Sequence, residues 1–246
     1  VATVSPIQSA CFSTNWRSAA VRSERKYRFD ASRQYPLSLL EQIRLERLCE
    51  VAQRLDTRLA IPATSSNFSL RSSTESFLIS RSGKHKRDLN AGDFLLVDLD
   101  GAAKAAVAPK PSDETLLHAL VYKHCPWVHC VLHCHAPELE NIKPHLLRFD
   151  GHELLKALGA RDHETPTSIQ VYENNQDMHA LAAQVEERQF QKNTAIAGPV
   201  LFVLAQHGIY CGGESVERAE AYLESVLHLL KHVGFTNSQP KPGAKQ

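Results

Sequence analysis

The 246-residue sequence has no CxxC pair, no apolar run near the length of a bilayer and no strong excess of either charge. Its six cysteines, Cys11, Cys49, Cys125, Cys130, Cys134 and Cys211, form no tight framework. A chain this long folds without disulfides, so the thiols read as reduced, in a cytosolic setting. The longest apolar runs, such as the one ending at Ala205, stay far below the ~20 residues a bilayer demands. A formal net charge of +1 argues against nucleic acid or an anionic membrane as the main partner. The expectation is a soluble, cytoplasmic protein.

What is present is a 43% hydrophobic fraction beside 22% charged residues, enough for one large α/β domain with a core of its own or for two small ones. Histidine is abundant, 13 in all, and His118, His124, His129, His133 and His135 crowd one region. The chain does not begin with Met. Residues 1–37 carry Arg17, Arg22, Arg25, Lys26, Arg28 and Arg33 against Glu24 and Asp30. Serine and arginine with little acid suit a transit peptide or a poorly ordered basic extension, and the extension is the expectation. A polar tail is expected over 236–246, which leaves a single domain over 38–235.

Within that domain, Leu48, Val51, Ala52 and Leu55 recur at helical spacing, predicting a helix over 40–55. FLIS (77–80), FLLVDL (94–99), residues 128–133 and GPVLFVLA (198–205) read as buried strands. A second helix is expected over 113–124 with Ser112 as its N-cap, and a short one over 151–159. The last helix carries Val216, Ala219, Leu223, Val226, Leu227 and Leu230 on one face, capped by Ser215.

The chemistry centres on VLHCH. Alternation along a strand puts His133 and His135 on one face with Cys134 on the other. Their Cβ atoms then lie about 6.5–7 Å apart, close enough for two imidazoles to share an ion. His129 has the same parity but lies about 13 Å away along the strand, too far to join them. A hydrogen-bonded core pair would carry the same HxH signature, so the pair alone decides nothing. His207, where an apolar strand runs into a glycine-rich turn, is a candidate third ligand. Three imidazoles with an open position describe a catalytic metal site.

PATSSNFSLR, ISRSGKHK, DFLLVDLDG, KPSDETLLH, VLHCH, GHELLKAL, NNQDM and QHGIYCGG occur in an order that resembles the class II aldolase/adducin family. The likeness covers about residues 59–233 and is greatest to the family's branch that dehydrates 5-methylthioribulose 1-phosphate in methionine salvage. It implies a mixed central β-sheet flanked by helices in one α/β domain, usually assembled as a homotetramer with active sites near subunit interfaces. It further implies one zinc ion per subunit on His133, His135 and His207, and a small sugar-phosphate substrate. The same resemblance assigns phosphate binding to Asn67, Ser82, Gly83 and Ser112, with Lys86 adding charge. Glu153 is implied as the main general acid/base and Glu114 as a supporting carboxylate. Other branches imply a sugar-phosphate aldolase or epimerase that would use Glu114, or a non-catalytic adducin-like module. The chain departs from the family pattern at Cys134, in the short connection 136–150 that leads to Glu153, and at Cys211 and Gly212, which are expected near the pocket mouth.

Overall fold

The computed structural model describes residues 36–238 apart from 60, 62, 105–110, 144, 193–197 and 234–235. The basic extension therefore lies outside the described residues except for Pro36 and Leu37. A helix, α1 (Leu39–Leu59), opens the domain. Ser38 and Glu41 start it reciprocally: the Glu41 amide donates to Ser38 Oγ at 3.2 Å and the Ser38 amide to Glu41 Oε2 at 2.8 Å.

Among the described residues, nine strands follow in one mixed sheet: β1 (Asn67–Arg71), β2 (Ser76–Ser80), β3 (Phe94–Asp98), β4 (Cys130–Cys134), β5 (His145–Phe149), β6 (Thr167–Tyr172), β7 (Val200–Leu204), β8 (Gly208–Gly213) and β9 (Thr236–Ser238). Their spatial order is β3-β2-β1-β4-β8-β7-β6-β5-β9. Among the described residues, only the β6–β7 pair is parallel. The helices are α1, α2 (Thr115–His124), α3 (Met178–Val185) and α4 (Val216–His228), the last capped by Ser215 Oγ, which accepts from the Arg218 amide at 3.2 Å. The mixed sheet with flanking helices is the expected architecture.

β1, β4, β7 and β8 read as fully buried runs, as strands covered on both faces must. Phe77, Leu117, Val121, Val131, Phe202 and Leu204 belong to one hydrophobic cluster between the sheet and the helices α2 and α3. β1 is the exception in chemistry, because Asn67, Ser69 and Arg71 alternate on one of its faces and are all buried. That polar face clamps α2 along its length. Arg71 Nη2 donates to the carbonyls of Tyr122 (2.7 Å) and Cys125 (3.0 Å), and its Nε to Val128 (2.8 Å). A cation there satisfies the orphan carbonyls of the helix C-terminus and complements its dipole. Ser69 and Asn67 hold the other half of the helix.

Four expectations shift. The helix expected over 113–124 begins at Thr115, because Ser112 is engaged in a turn: its carbonyl accepts from Thr115 N at 3.1 Å and its hydroxyl from Asn67 Nδ2 at 3.0 Å. The strand expected over 128–133 runs Cys130–Cys134. The helix expected over 151–159 is a 3-10 segment, Glu153–Leu158, ended by Gly159 at φ 89°. Thr236–Ser238, expected in the tail, pairs antiparallel with β5. Residues 239–246 lie outside the described residues.

Candidate metal centre

Antiparallel pairing brings the start of β1, the end of β4 and the start of β8 to one end of the sheet. The parallel β6–β7 pair delivers the ends of β6 and β7 to the same place. Register sets Asn67 opposite His133, and His133 opposite Tyr210. His135 lies just beyond β4, its amide donating to Ser66 Oγ at 3.0 Å. His207 sits in the tight β7–β8 turn, its amide donating to the Leu204 carbonyl at 3.2 Å. Gly208 makes this convergence possible. A Cβ there would lie 2.6 Å from the Cys134 carbonyl oxygen and 2.7 Å from His133 Cε1.

The three imidazoles gather with ring centroids 4.9 Å (His133–His135), 5.2 Å (His133–His207) and 4.5 Å (His135–His207) apart. Glu114, at the start of α2, completes the group: one ligand atom from each of the four residues lies within 4.8 Å of the others. Glu114 Oε1 is 2.7 Å from His207 Nε2, and Oε2 is 3.3 Å from His133 Nε2. His129 stands outside the group.

The donor chemistry fits a divalent cation. His133 Nδ1 faces the Ile209 carbonyl at 3.2 Å and His207 Nδ1 faces Asn174 Oδ1 at 3.1 Å. Each acceptor fixes the proton on Nδ1, leaving the Nε2 lone pairs directed at the cluster. His133 Nε2 is buried and makes no hydrogen bond, despite its proximity to Glu114. Burial, then the neighbouring His133 and His207, push the His135 imidazole down to about 3, so it stays neutral and able to ligate. Burial alone would push the Glu114 carboxyl up. The His133 and His207 imidazoles that face it outweigh this and hold it well below the usual carboxylate range.

The cluster opens into a cavity of about 520 Å³. Asn67, Ser82, Gly83 and Ser112, expected from the sequence, line it together with His135, His207 and Glu114. Gly83 takes φ 73° there, a left-handed conformation that leaves the loop without a side chain. Lys86 is placed differently. It is 1% exposed, outside the cavity lining, and its Nζ donates to the carbonyls of Thr64 (3.0 Å) and Lys84 (2.8 Å). It ties the two lining loops together from behind, and burial pushes its ammonium down to about 8.

Glu153 is not brought to the cluster within this chain. It is exposed on the 3-10 segment packed against α4, paired with Lys156 Nζ at 2.7 Å and His163 Nδ1 at 3.4 Å. Cys211 and Gly212 are also away from the mouth: Cys211 Sγ faces the Ala219 carbonyl at 3.4 Å and Gly212 abuts Val121, Val128 and Val200. The β8 register turns them into the core beneath α2 and α4. Cys134 is buried and stands outside the ligand group.

The sequence reading missed Arg81, Asn174, Leu116 and Met178 on the cavity wall. Asn174 and Met178 sat in the quoted NNQDM motif, and Arg81 beside Ser82, without a role. Arg81 pairs with Asp93 at 2.9 Å and brings positive charge to the loop side.

A group of three imidazoles and a carboxylate that could hold a metal ion thus sits at one end of a mixed sheet, facing a cavity walled by small-residue loops. Residues 46–232 match the family described as Class II Aldolase and Adducin N-terminal domain, and the chain belongs to that family. Among curated relatives, a methylthioribulose-1-phosphate dehydratase of Picosynechococcus sp. is 35% identical over 195 residues, covering 76% of this chain and 90% of that protein. One from Acidiphilium cryptum is 39% identical over 193 residues, covering 76% and 88%. Among solved structures, L-fuculose-1-phosphate aldolase from Thermus thermophilus has the same fold, with TM-score 0.60 and 22% identity over 78% of this chain and 94% of that one.

Proposed function

We propose that the chain dehydrates 5-methylthioribulose 1-phosphate to 2,3-diketo-5-methylthiopentyl 1-phosphate, the hydro-lyase step of methionine salvage. The observation that carries this is the His133–His135–His207–Glu114 group at the wall of a cavity shared with the Asn67, Ser82–Gly83 and Ser112 loops. The names of the 35–39% identical relatives select dehydration from the reactions such a site supports.

His133, His135 and His207 would hold one divalent ion, zinc by the preference of imidazole donors. Bound there, it would supply stabilisation for negative charge developing on the substrate's carbonyl and neighbouring oxygens. The backbone amides of Ser82 and Gly83, with the Ser112 hydroxyl and the Asn67 amide, would take the phosphate and so align the C3–C4 bond. A proton leaves C3, next to the carbonyl, the hydroxyl leaves C4 as water, and the resulting enol tautomerises to the diketone. Leu116 and Met178 supply apolar surface on the cavity wall suited to the methylthio end.

Glu114 is the carboxylate that joins the imidazole cluster and would move a proton at the reacting carbons. Glu153 retains its assigned acid/base role only if a second copy presents it, which accords with an assembly, a homotetramer in this reading, whose sites lie at subunit interfaces. A cytoplasmic location goes with this reading; no helix among the described residues is long and apolar enough to cross a membrane.

A second reading has one observation in its favour. Glu114, the carboxylate of the aldolase branch, is the one in the cluster, which suits retro-aldol cleavage of a ketose phosphate. Elemental analysis of wild type, His133→Ala and His207→Ala, followed by assays of both reactions, separates the possibilities. About one zinc per chain, lost in both variants, with dehydration of the methylthio substrate, is the expected result. Cleavage without dehydration selects the aldolase, and absence of metal uptake rejects both.

A further inference from the structure

Behind the reactive group lies a set of buried polar side chains that the proposed chemistry does not use. Ser69 Oγ is 2.8 Å from Tyr122 Oη and 2.7 Å from His118 Nδ1. His118 Nε2 meets Asn67 Oδ1, and Asn67 Nδ2 donates to Glu114 Oε2 and, at 3.0 Å, to Ser112 Oγ. His118, Ser69 and Tyr122 are at most 1% exposed.

The direction of every bond follows from one end. Asn67 turns its NH₂, which only donates, toward both Glu114 Oε2 and Ser112 Oγ. Asn67 Oδ1 then faces His118, whose Nε2 must carry the proton. A buried neutral imidazole with its proton on Nε2 accepts at Nδ1, so the Ser69 hydroxyl donates to it. Ser69 Oγ in turn accepts from Tyr122. Reversing any member would set two donors or two acceptors against each other away from water, at the cost of a buried unsatisfied group.

We propose that Tyr122, Ser69 and above all His118 are positioning residues: a one-way hydrogen-bond chain that locks the Asn67 amide with its NH₂ toward Glu114 and Ser112, and thereby aims the Glu114 carboxylate at the imidazole cluster. This rests on the reading of Glu114 as a group that acts on substrate. Without the His118 donor, Asn67 can turn its carbonyl toward the carboxylate. Glu114 would then be repelled, and the amide donor lost from the phosphate side. The consequence falls on turnover, because His118 touches none of the three histidine ligands' ring nitrogens.

The test has two arms on the full chain. In the first, the imidazole ¹⁵N resonances of the metal-loaded wild type are recorded, with His118 assigned by its disappearance in His118→Gln. A neutral ring protonated on Nε2 is expected; a ring protonated on Nδ1, or on both nitrogens, at neutral pH overturns the chain. In the second, His118→Leu should keep its metal content and lose about 10–100-fold in kcat with a smaller change in KM. His118→Gln, whose amide offers one donor and one acceptor, should recover most of that loss. Tyr122→Phe, which deletes only the far hydroxyl, should lose severalfold and covers the case in which His118→Leu fails to fold. Unchanged kcat in His118→Leu or in Tyr122→Phe, or a Gln variant as impaired as Leu, overturns the proposal. A wild type that holds metal but dehydrates nothing rejects the reaction proposed above, and the ring tautomer still decides the chain.

Discussion

Glu114 and His118 make separable demands on the same few ångströms. Glu114→Gln preserves shape and removes the proton acceptor, so kcat should fall about 10²–10⁴-fold while the three histidines continue to bind metal. Elemental analysis alongside steady-state kinetics checks both halves; loss of the metal instead would make Glu114 a ligand first. His118 carries the pH prediction. Burial, then the neighbouring His133, push its imidazole from 6.5 down to about 3 in the fold. Between those values the unfolded chain binds a proton that the folded one refuses, so stability rises with pH across that window. It is fully present above about 6.5 and is lost as pH falls toward 3, with a slope of at most about 1.4 kcal/mol per pH unit from this residue. Urea unfolding of wild type and His118→Gln from pH 7 to pH 5 should show a shallower decline in the variant.

At the scale of elements, two residues govern whether the strands and the helix arrive in register. Gly208→Ala places a methyl where the Cys134 carbonyl and the His133 ring already stand. Separating β4 from β8 should cost about 1–3 kcal/mol. It should also lower metal affinity, because His133 and His207 sit on either side of the displaced pair; calorimetric melting with and without added zinc measures the two effects. Arg71→Met would strip the carbonyls of Tyr122, Cys125 and Val128 of their shared donor, a loss of about 2–4 kcal/mol in denaturant unfolding. Arg71→Lys should recover little, since one ammonium cannot reproduce the planar fork. The polar alternation of Asn67, Ser69 and Arg71 was visible in NFSLR. Its meaning was not, because alternation shows which residues share a face and leaves open what covers it.

At the scale of the whole molecule, Glu153 is the test of assembly. Its exposed place against α4 leaves it without access to the cluster of its own chain. If a neighbouring copy presents it, Glu153→Gln and His133→Ala chains, each inactive alone, should regain activity when unfolded together and refolded as mixed oligomers. Absence of complementation, with Glu153→Gln active by itself, would leave Glu114 as the working carboxylate.

Local pattern was enough for the buried strands, for the Ser215 cap and for the shared face of His133 and His135, because alternation and capping act over a few residues. It was enough, too, for the order of motifs that marks the family. It could not bring His207 within 4.5 Å of His135, seat Glu114 between His133 and His207, or turn Lys86 inward to tie two loops. Those placements depend on the antiparallel order β1-β4-β8 and on α2 lying across β1. Residues 67, 114, 133 and 207 are far apart in sequence, and only strand pairing and burial set the distances between them. The sequence by itself determined which donors this protein possesses and what strands would carry them; the tertiary structure alone decided which donors meet.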